Sequence, residues 1–172
     1  SSGSILLARE VGSTSTKGIL SSFTANATAT GTVVVRDTSD TNTVINTQSG
    51  ISITGNLQIE ETDTVLNGGS GDIILANNVV GNAPNLNLTF SNAGGRVQIN
   101  GTTGLGSPSV RLGNVTLDLA STQLSITGNV YVNSLVTSVK LAGPVSITGL
   151  VDSTSNVTLQ ASAGAISVGA VT

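Results

Sequence analysis

Carboxylates are the first candidates for chemistry. Glu60-Glu-Thr-Asp63 packs three acids into one short stretch, and Asp37-Thr-Ser-Asp40 sets two more before it. Clusters of this kind can coordinate Ca²⁺, which takes several oxygen ligands. Neither stretch has the glycine-spaced ligand loop of a dedicated site, so both read as solvated loops. Paired acids can also cleave sugars, and Asp72, Asp118 and Asp152 fall near repeat corners, where they could stack on one side of a solenoid. They read better as the Asp that tight bends favour. Nucleophilic catalysis has no His and no Cys to work with. Gly101-Thr-Thr-Gly-Leu-Gly lacks the Lys and the following helix of a phosphate loop. The sequence therefore assigns no catalytic, cofactor-binding or metal-binding residue, and the expectation is a protein that is not an enzyme.

Hydroxyls and amides are far more abundant than acids. Ser52 and Thr54, Ser125 and Thr127, and Ser146 and Thr148 fall on alternate positions of the phrase Ser-Ile-Thr-Gly, so each pair shares one strand face. A flat, regular array of Thr would suit an ice-binding surface. Gln98 with Asn100, and Ser167 with Gly169, interrupt the row, and ordinary β-preferring surface residues account for it. Asn-x-Ser/Thr acceptors for sugars occur at Asn26, Asn87, Asn100, Asn114 and Asn156. Asn87 and Asn114 lie beside strands, where an outer face would tolerate a glycan.

The elements that position these groups announce themselves as a repeat. Across residues 114–149, alternating aliphatic residues lead into Leu124-Ser-Ile-Thr-Gly128 and again into Val145-Ser-Ile-Thr-Gly149. Related phrases begin at Ile51, Ile73, Val97 and Ile166, so the markers Ile51, Ile73, Val97, Leu124, Val145 and Ile166 step by 22, 24, 27, 21 and 21 residues. A fixed phrase at such spacing marks a solenoid. The other half of the repeat runs Asn85-Leu-Asn-Leu-Thr-Phe90, Asn114-Val-Thr-Leu-Asp-Leu119, Ser138-Val-Lys-Leu141 and Asn156-Val-Thr-Leu159, and residues 101–108 make the longest corner. Gly55, Gly101, Gly128 and Gly149, with Asn56 and Asn129, are expected to supply positive φ at the corners. The fold class is all-β, a single-stranded right-handed parallel β-helix over residues 49–172. Residues 1–48 form an N-terminal β segment serving as cap, linker or donated strand. A β-sandwich also accounts for many short strands, but gives no reason for near-identical phrases.

Composition agrees with a folded β chain. Of 172 residues, 9% are charged and the aromatics are two Phe and one Tyr, so the core must be Val, Ile, Leu and Ala. The net charge of −3 is too small to steer a partner. Arg9, Lys17, Arg36, Arg96, Arg111 and Lys140 are scattered, whereas phosphate binding needs clustered cations. No nucleic acid is expected, and no apolar run approaches the ~20 residues of a membrane span. No basic, then apolar, leader opens the sequence, which reads as a processed chain or an excised piece.

Gly71-Asp-Ile-Ile-Leu-Ala-Asn77, Asn85-Leu-Asn-Leu88 and Gly94-Gly-Arg-Val-Gln-Ile-Asn-Gly101 resemble the β-strand repeats of filamentous-haemagglutinin-like bacterial surface proteins. The resemblance covers residues 49–172. The Asn-Pro-Asn-rich secretion signature of those exoproteins is missing, and Asn82-Ala-Pro-Asn85 does not replace it. The resemblance implies a right-handed parallel β-helix, export through the outer membrane, and adhesion or surface-layer roles. The expectation is an extracellular or bacterial cell-surface structural or adhesive protein that could meet a host-surface or carbohydrate ligand. Open solenoid ends add the expectation of self-association or continuation into further repeats. A second reading is a sandwich-type filament subunit that donates Ile5–Leu7 or residues 18–20 to a neighbour, and a third is a polysaccharide-active β-helix enzyme.

Overall fold

Strict alternation of aliphatic and polar residues gives each short segment one dry face and one wet face, and Ser, Thr and Gly between them disfavour helix. The computed structural model describes residues 3–9, 11–12, 19–36, 42–120, 123–138 and 140–172, with the backbone alone at 42 and 43. Among the described residues every regular element is a strand, and every strand-to-strand ladder is parallel. The chain is a parallel β-solenoid of about six turns.

Each coil contributes to three ladders in turn. The first stacks Phe23–Asn26, Ile51–Thr54, Ile73–Leu75, Arg96–Ile99, Gln123–Ile126, the start of Val145–Ser153 and the start of Ile166–Val171. The second stacks Ser4–Leu7, Thr32–Val35, Asn56–Ile59 and Val79–Gly81, passes through the single residue Leu105, and continues at Val130 and Val151. The third stacks Asn42–Asn46, Asp63–Asn67, Asn87–Asn92, Leu112–Leu119, the end of Val130–Thr137, and Val157–Thr158.

The markers Ile51, Ile73, Val97, Leu124, Val145 and Ile166 are successive register partners in the first ladder. Ile126 sits directly over Ile147 in parallel register. That pairing excludes the sandwich, where the two would face each other across sheets. The inward residues form one continuous column: Ile53, Leu75, Ile99 and Ile126 on the first side, Leu57, Val79, Leu105 and Val130 on the second, Ile45, Leu66, Phe90 and Leu117 on the third, all at most 1% exposed. Thr64 also points into this column, and its hydroxyl has no partner among the described residues.

Stacking also extends ahead of Ser49. Phe23–Asn26 pairs with Ile51–Thr54, and Ser4–Leu7 pairs with Thr32–Val35 inside the chain. The strand suggested for donation, Ile5 to Leu7, is therefore already part of the second ladder; residue 18 lies outside the described residues. One assignment shifts. Asn114 stacks on Ser134, and Val115 on Leu135, so the third-ladder unit of that coil is Ser134-Leu-Val-Thr137. The sequence pattern alone places it at Ser138–Leu141. Val130–Thr137 runs on as one strand from the second ladder to the third and spends no residues on a turn. Val139 lies outside the described residues, and Leu141 bridges to Ala161 at the next corner.

The corner glycines need a second correction. Among those expected to have positive φ, only Gly55 (+102°) and Gly128 (+96°) do; Gly101, Gly149, Asn56 and Asn129 do not. What the glycines share is closeness to the coil beneath. A Cβ on Gly128 would overlap the Gly101 carbonyl oxygen, and one on Gly149 would overlap the Gly128 oxygen. One on Gly55 would stand 2.9 Å from the Gly31 oxygen, and one on Gly169 2.8 Å from the Gly149 oxygen. The final Gly of Ser-Ile-Thr-Gly is thus a stacking requirement. The corner Asn residues act by hydrogen bonding: Asn78 Nδ2 donates to Asn56 Oδ1 (3.3 Å), Thr103 N–H donates to Asn78 Oδ1 (2.9 Å), and Leu150 N–H donates to Asn129 Oδ1 (2.9 Å).

Candidate functional site

Alternation that buries the aliphatic column turns polar residues outward in vertical rows about 4.8 Å apart, the spacing of paired strands. On the first ladder one outer row reads Thr24, Ser52, Ile74, Gln98, Ser125, Ser146, Ser167 by register. Hydroxyls therefore occupy two runs, separated by Ile74 as well as by the expected Gln98. Beside the lower run lies a shallow depression of about 320 Å³ between Ser22, Thr24, Ser49, Ser52 and Asp72. Its carboxylate is already engaged: Arg96 donates from N–H to Asp72 Oδ1 (3.0 Å) and from Nε to Oδ2 (2.9 Å).

A second depression, about 410 Å³, lies at the end of the third ladder between Asn67, Ser91, Asn92 and Asp118. Ser138 Oγ donates to Asp118 Oδ1 (2.9 Å). The amides here serve the fold. Asn67 Nδ2 donates to Asn46 Oδ1 (2.9 Å), Gly69 N–H donates to Asn67 Oδ1 (3.0 Å), and Asn92 Nδ2 donates to the Gly71 carbonyl (2.5 Å).

The structure does not bring the single acids together. Asp72 stands at the start of the first ladder, Asp118 on the third, and Asp152 on the second. Each is held by a different partner: Asp72 by Arg96, Asp118 by Ser138 and Asp152 by Arg111. In the acidic knot, Glu60 accepts from Arg36 Nη1 (3.3 Å) and Gln58 Nε2 (2.6 Å), and Asp63 accepts from Asn87 Nδ2 (2.8 Å). Among the described residues no group of three or more His, Cys, Asp or Glu could hold a metal ion. Asp37 and Asp40 lie outside those residues. Gly101-Thr-Thr-Gly-Leu-Gly is a plug: Gly104 and Gly106, both at φ +66°, let Leu105 alone dip into the core and bridge Val79 and Val130. No described helix is long and apolar enough to cross a membrane.

Sequence reading missed the role of the scattered cations. Arg36–Glu60, Arg96–Asp72 and Arg111–Asp152 are ion pairs between coils. The available signal was opposite charge at about one coil length, or two. Arg111 spans two coils. Its guanidinium lies 5.9 Å from the Tyr131 ring centroid, then donates to the Asp152 carbonyl (2.8 Å) and carboxylate (2.6 Å). Tyr131 and Asp152 are register partners, so the arginine clamps three coils in succession. The hydrogen bond to Asp152 raises the Arg111 pKa above its ordinary value against the opposing effect of burial. The clamp sits where the second ladder is thinnest, beside Leu105. Arg111→Ala is expected to cost about 1–2 kcal/mol, from lost charge-assisted bonds and ring contact at a partly exposed site. Arg111→Lys, a point charge without the planar fork, should recover less than half of it. Urea unfolding of both variants checks this.

Compared with known protein families, curated proteins and solved structures, the chain has no match.

Proposed function

We propose that this chain is a rod-like structural module of an extracellular or cell-surface adhesive protein, performing no chemistry of its own. The observation that carries the reading is the in-register stack itself: outward rows, polar at most coils, repeat over a continuous dry column. Such rows offer many weak contacts of similar kind, and linked copies convert weak contacts into avid ones. The resemblance of the repeat phrases to filamentous-haemagglutinin-like proteins supports the setting. Inward positions of the last coil, Ile166 (45% exposed) and Val171 (56%), stack on buried Val145 and Val151 and lack a coil above them. A further coil of the same geometry, from more chain or from a second copy, would cover them.

The test uses beads carrying one, two or four linked copies, drawn under flow over cell- and polysaccharide-coated surfaces. Retention should climb more steeply than copy number and fall when Ser52, Ser125 and Ser146 are replaced together by Asp. Retention that ignores copy number, or release of shortened sugar chains from the polysaccharide surface, would overturn the reading.

A further inference from the structure

Five Asn-x-Thr triplets are present, and the fold separates them. Residues i and i+2 share a face only while the strand stays extended. In Asn26-Ala-Thr28 the Thr is left-handed (φ +61°), and Asn26 Oδ1 accepts the Thr28 N–H (3.2 Å). In Asn100-Gly-Thr102 the strand has already ended at Ile99, and Asn100 Oδ1 accepts from Gln98 Nε2 (2.9 Å). The other three fall in one vertical row at the start of the third ladder: Asn42, Asp63, Asn87, Asn114, Ser134, then Asn156, which precedes the Leu135–Val157 pair.

The next outer row of that ladder reads Val44, Val65, Thr89, Thr116, Val136, Thr158. Thr appears at the three coils that complete a triplet, and Val at the three that do not. Either residue suits an outward strand position equally well. Asn87 is held at both ends: Nδ2 donates to Asp63 Oδ1 (2.8 Å), and Oδ1 accepts the Asn114 N–H (2.8 Å). The side chains of Asn114 and Asn156 are exposed and have no hydrogen-bond partner among the described residues. They stand two coils apart, ~9.6 Å by strand spacing, whereas sugars on Asn87 and Asn114 would be crowded into ~4.8 Å.

We infer that Asn114 and Asn156 are acceptor sites for N-linked sugar on the third face. A glycosyl group comes from a sugar-diphosphate donor under a transferase that reads Asn-x-Ser/Thr. The carboxamide nitrogen forms the bond to the anomeric carbon, the carbon–oxygen bond to the diphosphate breaks with its electrons, and the amide proton passes to a base. The inference goes beyond the rod reading, since a spacer needs no glycan, and glycan mapping is independent of surface retention.

The test co-expresses the full chain with such a transferase and appends a flexible tag bearing one acceptor triplet as an internal control. Sites are mapped by mass spectrometry on the protease-resistant, folded fraction. Asn114 and Asn156 should be modified, with Asn26, Asn87 and Asn100 at least about tenfold lower. Thr116→Val and Thr158→Val should each abolish their own site while the protein still folds, because Val already fills this row at Val65 and Val136. A modified tag beside bare Asn114 and Asn156, or Asn87 occupied as fully as they are, would overturn the inference.

Discussion

Gly128→Ala is expected to destabilise the protein by roughly 3–5 kcal/mol, a large part of the ~5–15 kcal/mol that holds a domain together. Two costs add. The residue stands at φ +96°, where a side chain is strained, and its new methyl would occupy the space of the Gly101 carbonyl oxygen in the coil beneath. That oxygen belongs to backbone held by its own neighbours and cannot swing aside like a side-chain tip. Gly149→Ala isolates the second cost, since Gly149 meets the Gly128 oxygen without positive φ; roughly 1–3 kcal/mol should be lost. Gly94→Ala is the control, with its nearest neighbour 3.6 Å away at the Ser70 oxygen, and should change stability by less than about 0.5 kcal/mol. Urea unfolding of the three variants gives the order. A Gly128→Ala loss no larger than that of Gly94→Ala would mean that the coils do not depend on close backbone approach at this corner.

The same corner shows what the sequence could and could not disclose. Ile51, Ile73, Val97, Leu124, Val145 and Ile166 were legible as stacking partners because alternation fixes which face a residue takes, and a one-residue slip would expose the whole set. Phe23-Thr-Ala-Asn26 occupies the same ladder but escaped notice, because Ala25 replaces the central Ile and the corner glycine is delayed to Gly31. The Ser138–Leu141 misassignment had a related origin: Lys140 and Leu141 alternate well enough, and only a strand running through a bend shows that the third ladder begins at Ser134. Gly149 looked like a turn residue because turn and close contact select the same amino acid. The Arg111 clamp was hidden by distance, with its partner 41 residues away. The acids suggested for sugar chemistry could be dispersed over three faces only once the coil had three sides.

Phe90→Ala should cost roughly 3–5 kcal/mol and should also change the form of the unfolding transition. Phe90 is a fully buried side chain on the third ladder, in register with Leu66 below and Leu117 above. Truncating it leaves a cavity in the middle of the column, shared by three coils. In a solenoid each coil touches only its neighbours, so stability is close to a sum of coil and interface energies. A weak interface at the centre therefore divides the array. The coils before residue 90 and those after it should unfold in separate steps, each with a shallower denaturant slope than the single transition of the parent. Amide exchange should speed up first at Leu66, at Leu117 and at Thr89 and Ser91 beside the substitution, while the Ile126–Ile147 pair stays protected. Ile166→Ala, on the half-exposed last coil, removes little buried surface and should cost under about 1 kcal/mol without splitting the transition. A single, undivided transition in Phe90→Ala would show that the coils act as one cooperative block, and that the column transmits load through its hydrogen-bonded ladders even where its packing is broken.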